Sequence, residues 1–395
     1  MKKTLLMSSV AAFLATGVVC AETAKADSGF KTTVKGKIGA AWYAALSSTV
    51  ASKSVDGKFA DNNQILLTDP KIYVLGDGGC SKVAYGYNVN FTSKDGNALV
   101  QNMYVYARLF DMVEFRLGRL EDAMKNATVD VSSVMGVTNG YLGAEWSSFS
   151  GAAPSEVKGA LEKGLVLNST SYTAGIDIRS VRIAGVQAVV NFKPHGSAQG
   201  WALHPNLQSN EAVRKGMFSA ALNYDNTFGD FRIQGSIGGM FGLGTPRVND
   251  KDMDDKDIKK SACYALGLMA SWKGLDVAVG YMDNLNTGAI EATKDQVSGR
   301  AIHGGVGYQF DVSCKPRLAL GTLFLMNGNG KSSAEEMSAK AGIFFANFQL
   351  TPRPGFNVFV EGGYDMYSAK LGAADATKFS DNSSFVLGSG FQVAQ

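Results

Sequence analysis

Phe30-Lys31-Thr32-Thr33-Val34-Lys35-Gly36-Lys37-Ile38-Gly39-Ala40-Ala41-Trp42 is the stretch on which the reading of this chain turns. Phe30, Thr32, Val34, Gly36, Ile38, Ala40 and Trp42 share one parity, and Lys31, Thr33, Lys35 and Lys37 share the other. A helix would scatter both sets around its axis, whereas a strand puts them on opposite faces. One face is then apolar and the other basic. A strand with its apolar face toward lipid and its charged face toward water is the repeating unit of a membrane-spanning β-barrel.

The same alternation recurs downstream. Val83, Tyr85, Tyr87, Val89 and Phe91 alternate with Ala84, Gly86, Asn88 and Asn90. Phe231, Ile233 and Ile237 alternate with Arg232, Gln234 and Ser236, and Leu275, Val277, Val279 and Tyr281 with Asp276, Ala278 and Gly280. Sixteen such segments begin near Phe30, Gln64, Lys82, Gln101, Val113, Ser171, Gly185, Met217, Phe231, Ala262, Leu275, Ala301, Pro316, Met337, Phe356 and Ser384. Each is close to the roughly ten residues that a tilted membrane strand requires. Pro70 lacks a ladder donor, so the second strand is expected to start late. The segment near Met337 is apolar on both parities.

Connections alternate in length. Residues 46–63, 120–168, 193–215, 242–260, 283–299 and 367–383 are long and polar, whereas 110–112, 226–230, 273–274, 311–315 and 351–355 are short. Long loops on one side and short turns on the other are expected of outer-membrane barrels, and an even strand count returns both termini to the short-turn, periplasmic side. Trp42-Tyr43 at the loop end of the first strand and Trp272 at a turn end suit aromatic girdles at the two interfaces. The fold class expected is all-β: one transmembrane antiparallel barrel of sixteen strands.

Met1-Lys2-Lys3, the apolar stretch from Leu5 to Val19 and the small-residue end Val19-Cys20-Ala21 read as a secretory signal peptide over 1–21, with 22–395 as the barrel. No other segment approaches the 18 or so apolar residues of a spanning helix, which excludes a helical membrane protein. Removing Lys2 and Lys3 lowers the formal net charge from +3 to +1, no basis for binding nucleic acid. Cys80, Cys263 and Cys314 lack metal-ligand spacing and read as unpaired.

At three places the local sequence resembles the general porins of Gram-negative bacteria. Val34-Lys35-Gly36-Lys37-Ile38-Gly39-Ala40-Ala41-Trp42-Tyr43 resembles the family's first strand, and Phe115-Arg116-Leu117-Gly118-Arg119 resembles its fifth strand with the Leu-Gly-Arg ending. Phe385-Val386-Leu387-Gly388-Ser389-Gly390-Phe391 resembles its closing strand, although the family usually ends on an aromatic and this chain ends on Gln395. The resemblance implies that the third loop, 120–168, folds inward and narrows the channel. It also implies that acidic loop residues face a basic wall. Asp130 and Glu145 are the loop candidates, against Glu121, Asp122, Glu156 and Glu162 elsewhere in the segment. Lys37 matches the family's first-strand basic position, and Arg119 matches its Leu-Gly-Arg arginine. The family further implies a homotrimer.

Parity alone directs Lys35, Lys37, Arg108, Arg116, Arg179 and Arg232 inward. A Lys or Arg facing lipid at mid-membrane costs about 2–4 kcal/mol in a barrel. Arg119 shares parity with Val113, Phe115 and Leu117, so either the strand ends at Gly118 or the register shifts by one. His195 and His204 fall in a loop and His303 on an inward parity, with no nucleophile placed beside them. Asn249-Asp250-Lys251-Asp252-Met253-Asp254-Asp255-Lys256-Asp257 lacks the Gly and distal Glu of a calcium loop. The function expected is passive diffusion of small hydrophilic solutes and ions through a water-filled channel, without enzyme activity or cofactor, in outer-membrane lipid. Its rivals are a substrate-specific channel and a structural or adhesive surface barrel.

Overall fold

The computed structural model describes residues 30–48, 64–68, 71–80, 82–94, 97–124, 129, 132–135, 173–195, 215–242, 247–248, 251–252, 262–286, 299–327, 330–332, 335–370 and 379–394. The N-terminal signal segment, Asp130, Glu145 and His204 lie outside the described residues.

Sixteen strands close into one antiparallel barrel. In chain order they are β1 (Lys31–Ser48), β2 (in two segments, Gln64–Thr68 and Lys71–Cys80), β3 (Val83–Lys94), β4 (Asn97–Leu109), β5 (Val113–Leu120) and β6 (Thr173–Ser180). There follow β7 (Val186–His195), β8 (Lys215–Phe228), β9 (Phe231–Gly242), β10 (Ala262–Trp272) and β11 (Leu275–Asn286). The last are β12 (Gly299–Gln309), β13 (Arg317–Asn327), β14 (Glu335–Arg353), β15 (Phe356–Lys370) and β16 (Phe379–Ala394). Each pairs with its sequence neighbours, and β1 pairs with β16 from Lys37 opposite Ala394 to Ser48 opposite Ser383. Closure satisfies the backbone groups of both edge strands, which hydrocarbon would otherwise leave unpaired.

The alternation reads out as two faces. Val34, Ile176, Ile178, Leu222, Leu266, Leu268, Val277, Val279, Leu318, Leu320 and Phe348 are exposed on the outside. Asp177, Asn191, Lys193, Ser219, His303, Asn347 and Glu361 are buried on the other parity. A soluble protein would invert this distribution.

Two expectations are corrected. Pro70 does not delay β2: Gln64–Thr68 already pairs with β1, and the register is the same on both sides of 69–70, with Thr68 opposite Ala40 and Lys71 opposite Lys37. Both flanks pair with one continuous partner, β1. The connection expected over 367–383 is shorter, because β15 and β16 keep pairing as far as Ala369 opposite Phe379.

The short turns carry their own chemistry. Lys273 and Gly274 have φ of 46° and 86°, and Ala184 and Gly185 have φ of 48° and 87°. Two successive positive φ values make a type I′ hairpin, whose twist matches that of the flanking strands. Inside the barrel, Gly86 is a space rather than a hinge. A Cβ there would stand 2.8 Å from the Cε1 and the hydroxyl of Tyr106, whose ring lies over the bare backbone.

Candidate functional site

The chain between β5 and β6 enters the barrel and docks on the inner wall. Asp122 ion-pairs with Lys193 of β7 at 2.8 Å, both side chains essentially without solvent contact. Ala123 N–H donates to Ser219 Oγ of β8 at 3.1 Å. Met124 packs among Met217, Met240, Cys263 and Ala265 of β8–β10. Gly238 makes the room: a Cβ there would stand 2.9 Å from Met124 Cγ. Val129 N–H donates to Ser236 Oγ of β9 at 2.8 Å. The helical turn α1 (Ser132–Met135) then reaches β11–β13, where Arg317 donates from Nη2 to the Val134 carbonyl at 2.7 Å and to Asp276 at 2.6 Å. The described residues of the loop therefore lie along the lumen from β7 to β13, fixed by polar and apolar anchors.

Beside this covered wall, where β6 pairs with β7, β4–β6 carry a cross-strand lattice of charge. Arg108, Glu114 and Arg179 face one another in register, and so do Tyr106, Arg116 and Asp177 one row along. Glu114 accepts from Arg108 Nη2 at 2.7 Å and from Arg116 Nε at 2.6 Å, while Asp177 pairs with Arg179 at 2.6 Å. Arg116 also stacks its guanidinium on the Tyr104 ring at 4.7 Å. Facing residues on one side of an antiparallel pair stand close enough for such pairing.

Two ion pairs of the inner wall share an orientation. Side-chain exposure is 43% for Arg108 against 9% for Glu114 and 46% for Arg232 against 22% for Asp225. The guanidinium is the partner presented to water, with the carboxylate beneath it. Lys35 is exposed on the same inner parity of β1. At these positions the lumen surface shows cations to a passing solute.

Of the residues singled out from the sequence, Arg108, Arg116 and Arg179 come together in this lattice, with Lys35 and Lys37 on the inner parity of β1. Arg119 does not join them. β5 continues in register to Leu120, Arg119 pairs with Met103 and Ala174, and its parity is that of Phe115 and Leu117. Asp122, three residues on, is where the chain is anchored inside. Glu114 and Asp177 were missed, although each stands two residues before an arginine of its own face, a signal legible in Glu114-Phe115-Arg116 and Asp177-Ile178-Arg179. Lys193 and Gly238 were missed because their partners arrive from a loop distant in sequence. Among the described residues, no group of three or more His, Cys, Asp or Glu side chains could hold a metal ion. Cys263 is buried and Cys314 exposed, and neither is in a disulfide.

No protein-family model matches the chain, and no curated protein matches it in sequence. Solved structures do match in fold. A loop-deletion form of OmpT, an outer membrane protein of Vibrio cholerae, superposes with a TM-score of 0.57 at 12% identity, covering 93% of this chain and 99% of that one. The anion-selective porin of Comamonas acidovorans gives 0.55 at 12% identity, covering 93% and 100%. A variant of the Rh. blastica porin gives 0.50 at 13% identity, covering 92% and 100%. The class defined is a sixteen-stranded barrel of the kind seen in bacterial porins.

Proposed function

We propose that this chain forms a water-filled channel in a bacterial outer membrane, through which small hydrophilic solutes and ions diffuse passively. The observation that carries this reading is the pairing of an apolar outer face with a charged inner wall along which the loop after β5 is laid. Sixteen strands enclose more width than side chains alone can fill, so a lumen remains. The described loop residues, up to Met135, are docked on β7–β13. The narrow section is set where loop carboxylates, with Asp130 and Glu145 as candidates, face the wall of Lys35, Lys37, Arg108, Arg116 and Arg179. Export by a cleaved signal peptide over 1–21 delivers the chain to that membrane. A homotrimer is the expected assembly, in keeping with the Vibrio cholerae OmpT structure in a trimer form.

Liposome swelling tests the reading. Vesicles carrying the purified protein should swell in iso-osmotic solutions of small sugars and amino acids, at rates that fall with solute size. Protein-loaded vesicles that swell no faster than empty ones would favour a structural surface barrel.

A further inference from the structure

The inner wall of β2–β4 holds a recess of about 320 Å³ facing the lumen, lined in part by Asp77, Asn88, Tyr104, Tyr106 and Arg108. Asp77, Gly86 and Tyr106 face one another in register across three strands. The Tyr106 ring lies over the side-chain-free Gly86, as the 2.8 Å approach to its Cβ position shows. One row along, Asn88 Nδ2 donates to the Tyr104 hydroxyl at 3.3 Å, and the Arg116 guanidinium backs the Tyr104 ring. Both rings are thus held in place, yet the polar groups around them keep unused capacity. Among the described residues, neither the Asp77 carboxylate nor the Tyr106 hydroxyl takes part in a hydrogen bond or ion pair. Asn88 Oδ1 is buried without a partner. Arg108 commits Nε and Nη2 to Glu114 and keeps Nη1 free, on a side chain that is 43% exposed.

We propose that this recess is a binding subsite for a single sugar ring, so that the channel retains neutral polyhydroxylated solutes as they pass. The proposal rests on the channel reading and names a solute class within it. The recess offers acceptors, the Asp77 carboxylate and the Asn88 amide oxygen. It also offers donors, the Arg108 guanidinium and the Tyr106 hydroxyl. A sugar hydroxyl donates and accepts at once, so one ring can use both kinds of group. A simple anion meets the Asp77 charge, and a simple cation meets Arg108 and Arg116. The aromatic face supplies apolar contact for the C–H face of a pyranose. A volume of 320 Å³ is near the lower end of ligand pockets, which run from about 300 to 1,000 Å³, and so suits one ring rather than an oligomer.

Single-channel recording with glucose as the probe tests this. Glucose should interrupt the current of open channels in a saturable way, whereas a polyethylene glycol of similar size should lower the current only in proportion to its concentration. Asp77→Asn and Tyr106→Ala should each raise the half-blocking glucose concentration about tenfold, the loss expected when a charged or aromatic contact to a ligand is removed. Asp77→Asn is nearly isosteric and carries the test alone if Tyr106→Ala does not assemble. Open channels with no saturable response to glucose would overturn the proposal and leave the channel reading standing. So would a response equally strong in both variants, or glycine blocking as tightly as glucose by way of Asp77. A protein that never conducts would overturn the channel reading and the subsite together.

Discussion

At the residue scale, charge placement follows from what each side chain can reach. Lys35 is exposed on the inner parity of β1, whereas Arg116 is bound into a lattice with Glu114 and stands in register with Asp177. The two cations therefore serve different ends. Lys35→Glu should shift the zero-current potential in a salt gradient toward cation preference, because fixed charge on a pore wall sets which ion sign enters. The shift should shrink at 1 M salt, where the Debye length is about 3 Å. An unchanged potential at low salt would mean that Lys35 does not face the permeation path. Arg116→Glu is expected to disrupt assembly instead, since it would set a third carboxylate beside Glu114 and Asp177. The measure is the yield of folded barrel, and a normal yield would show that the lattice is dispensable. The sequence showed these arginines through parity alone. It hid their carboxylates behind an expectation that the wall is uniformly basic.

At the element scale, the loop after β5 is held by contacts that no local pattern announces. The Asp122–Lys193 pair is fully buried at 2.8 Å, and breaking such a pair by removing one partner costs about 3–5 kcal/mol. Lys193→Met should remove the buried ammonium that Asp122 pairs with and loosen this end of the loop. The expected result is larger or noisier single-channel conductance than in the parent protein. Steps of parental size and noise would show that Met124, Ser219 and Ser236 hold the loop without the ion pair. Inner-facing small and apolar residues, Gly238, Cys263 and Ala265 among them, are the trace this docking leaves in the sequence. They are misleading when each strand is read by itself, because an apolar inner face looks like a failure of alternation. The segment near Met337 gave the same impression: Ile343 and Phe345 lie on the inner parity of β14 and are buried.

At the scale of the whole molecule, period-two alternation, turn chemistry and the long-short rhythm of connections made strand number and closure legible from sequence. Those features repeat in every hairpin. Position along the lumen was not legible, because it depends on pairing between a loop and strands far away in the chain. The rhythm also sets orientation. Cysteines placed at Lys256 and Ala374 should react with an impermeant reagent on whole cells, and one at Gly274 should not. The reverse pattern would invert the barrel in the membrane. Processing is the companion expectation: intact-mass measurement of the membrane form should show a chain beginning at Glu22, and retention of Met1 would contradict it.

The central claim is that the barrel encloses a continuous water path lined by the β4–β6 lattice and narrowed by the loop after β5. Purified protein reconstituted into a planar bilayer tests it most directly. The account predicts discrete current steps of uniform size that grow with salt concentration and persist without any added cofactor. A correctly folded barrel that inserts into the bilayer yet gives no current above baseline would contradict it.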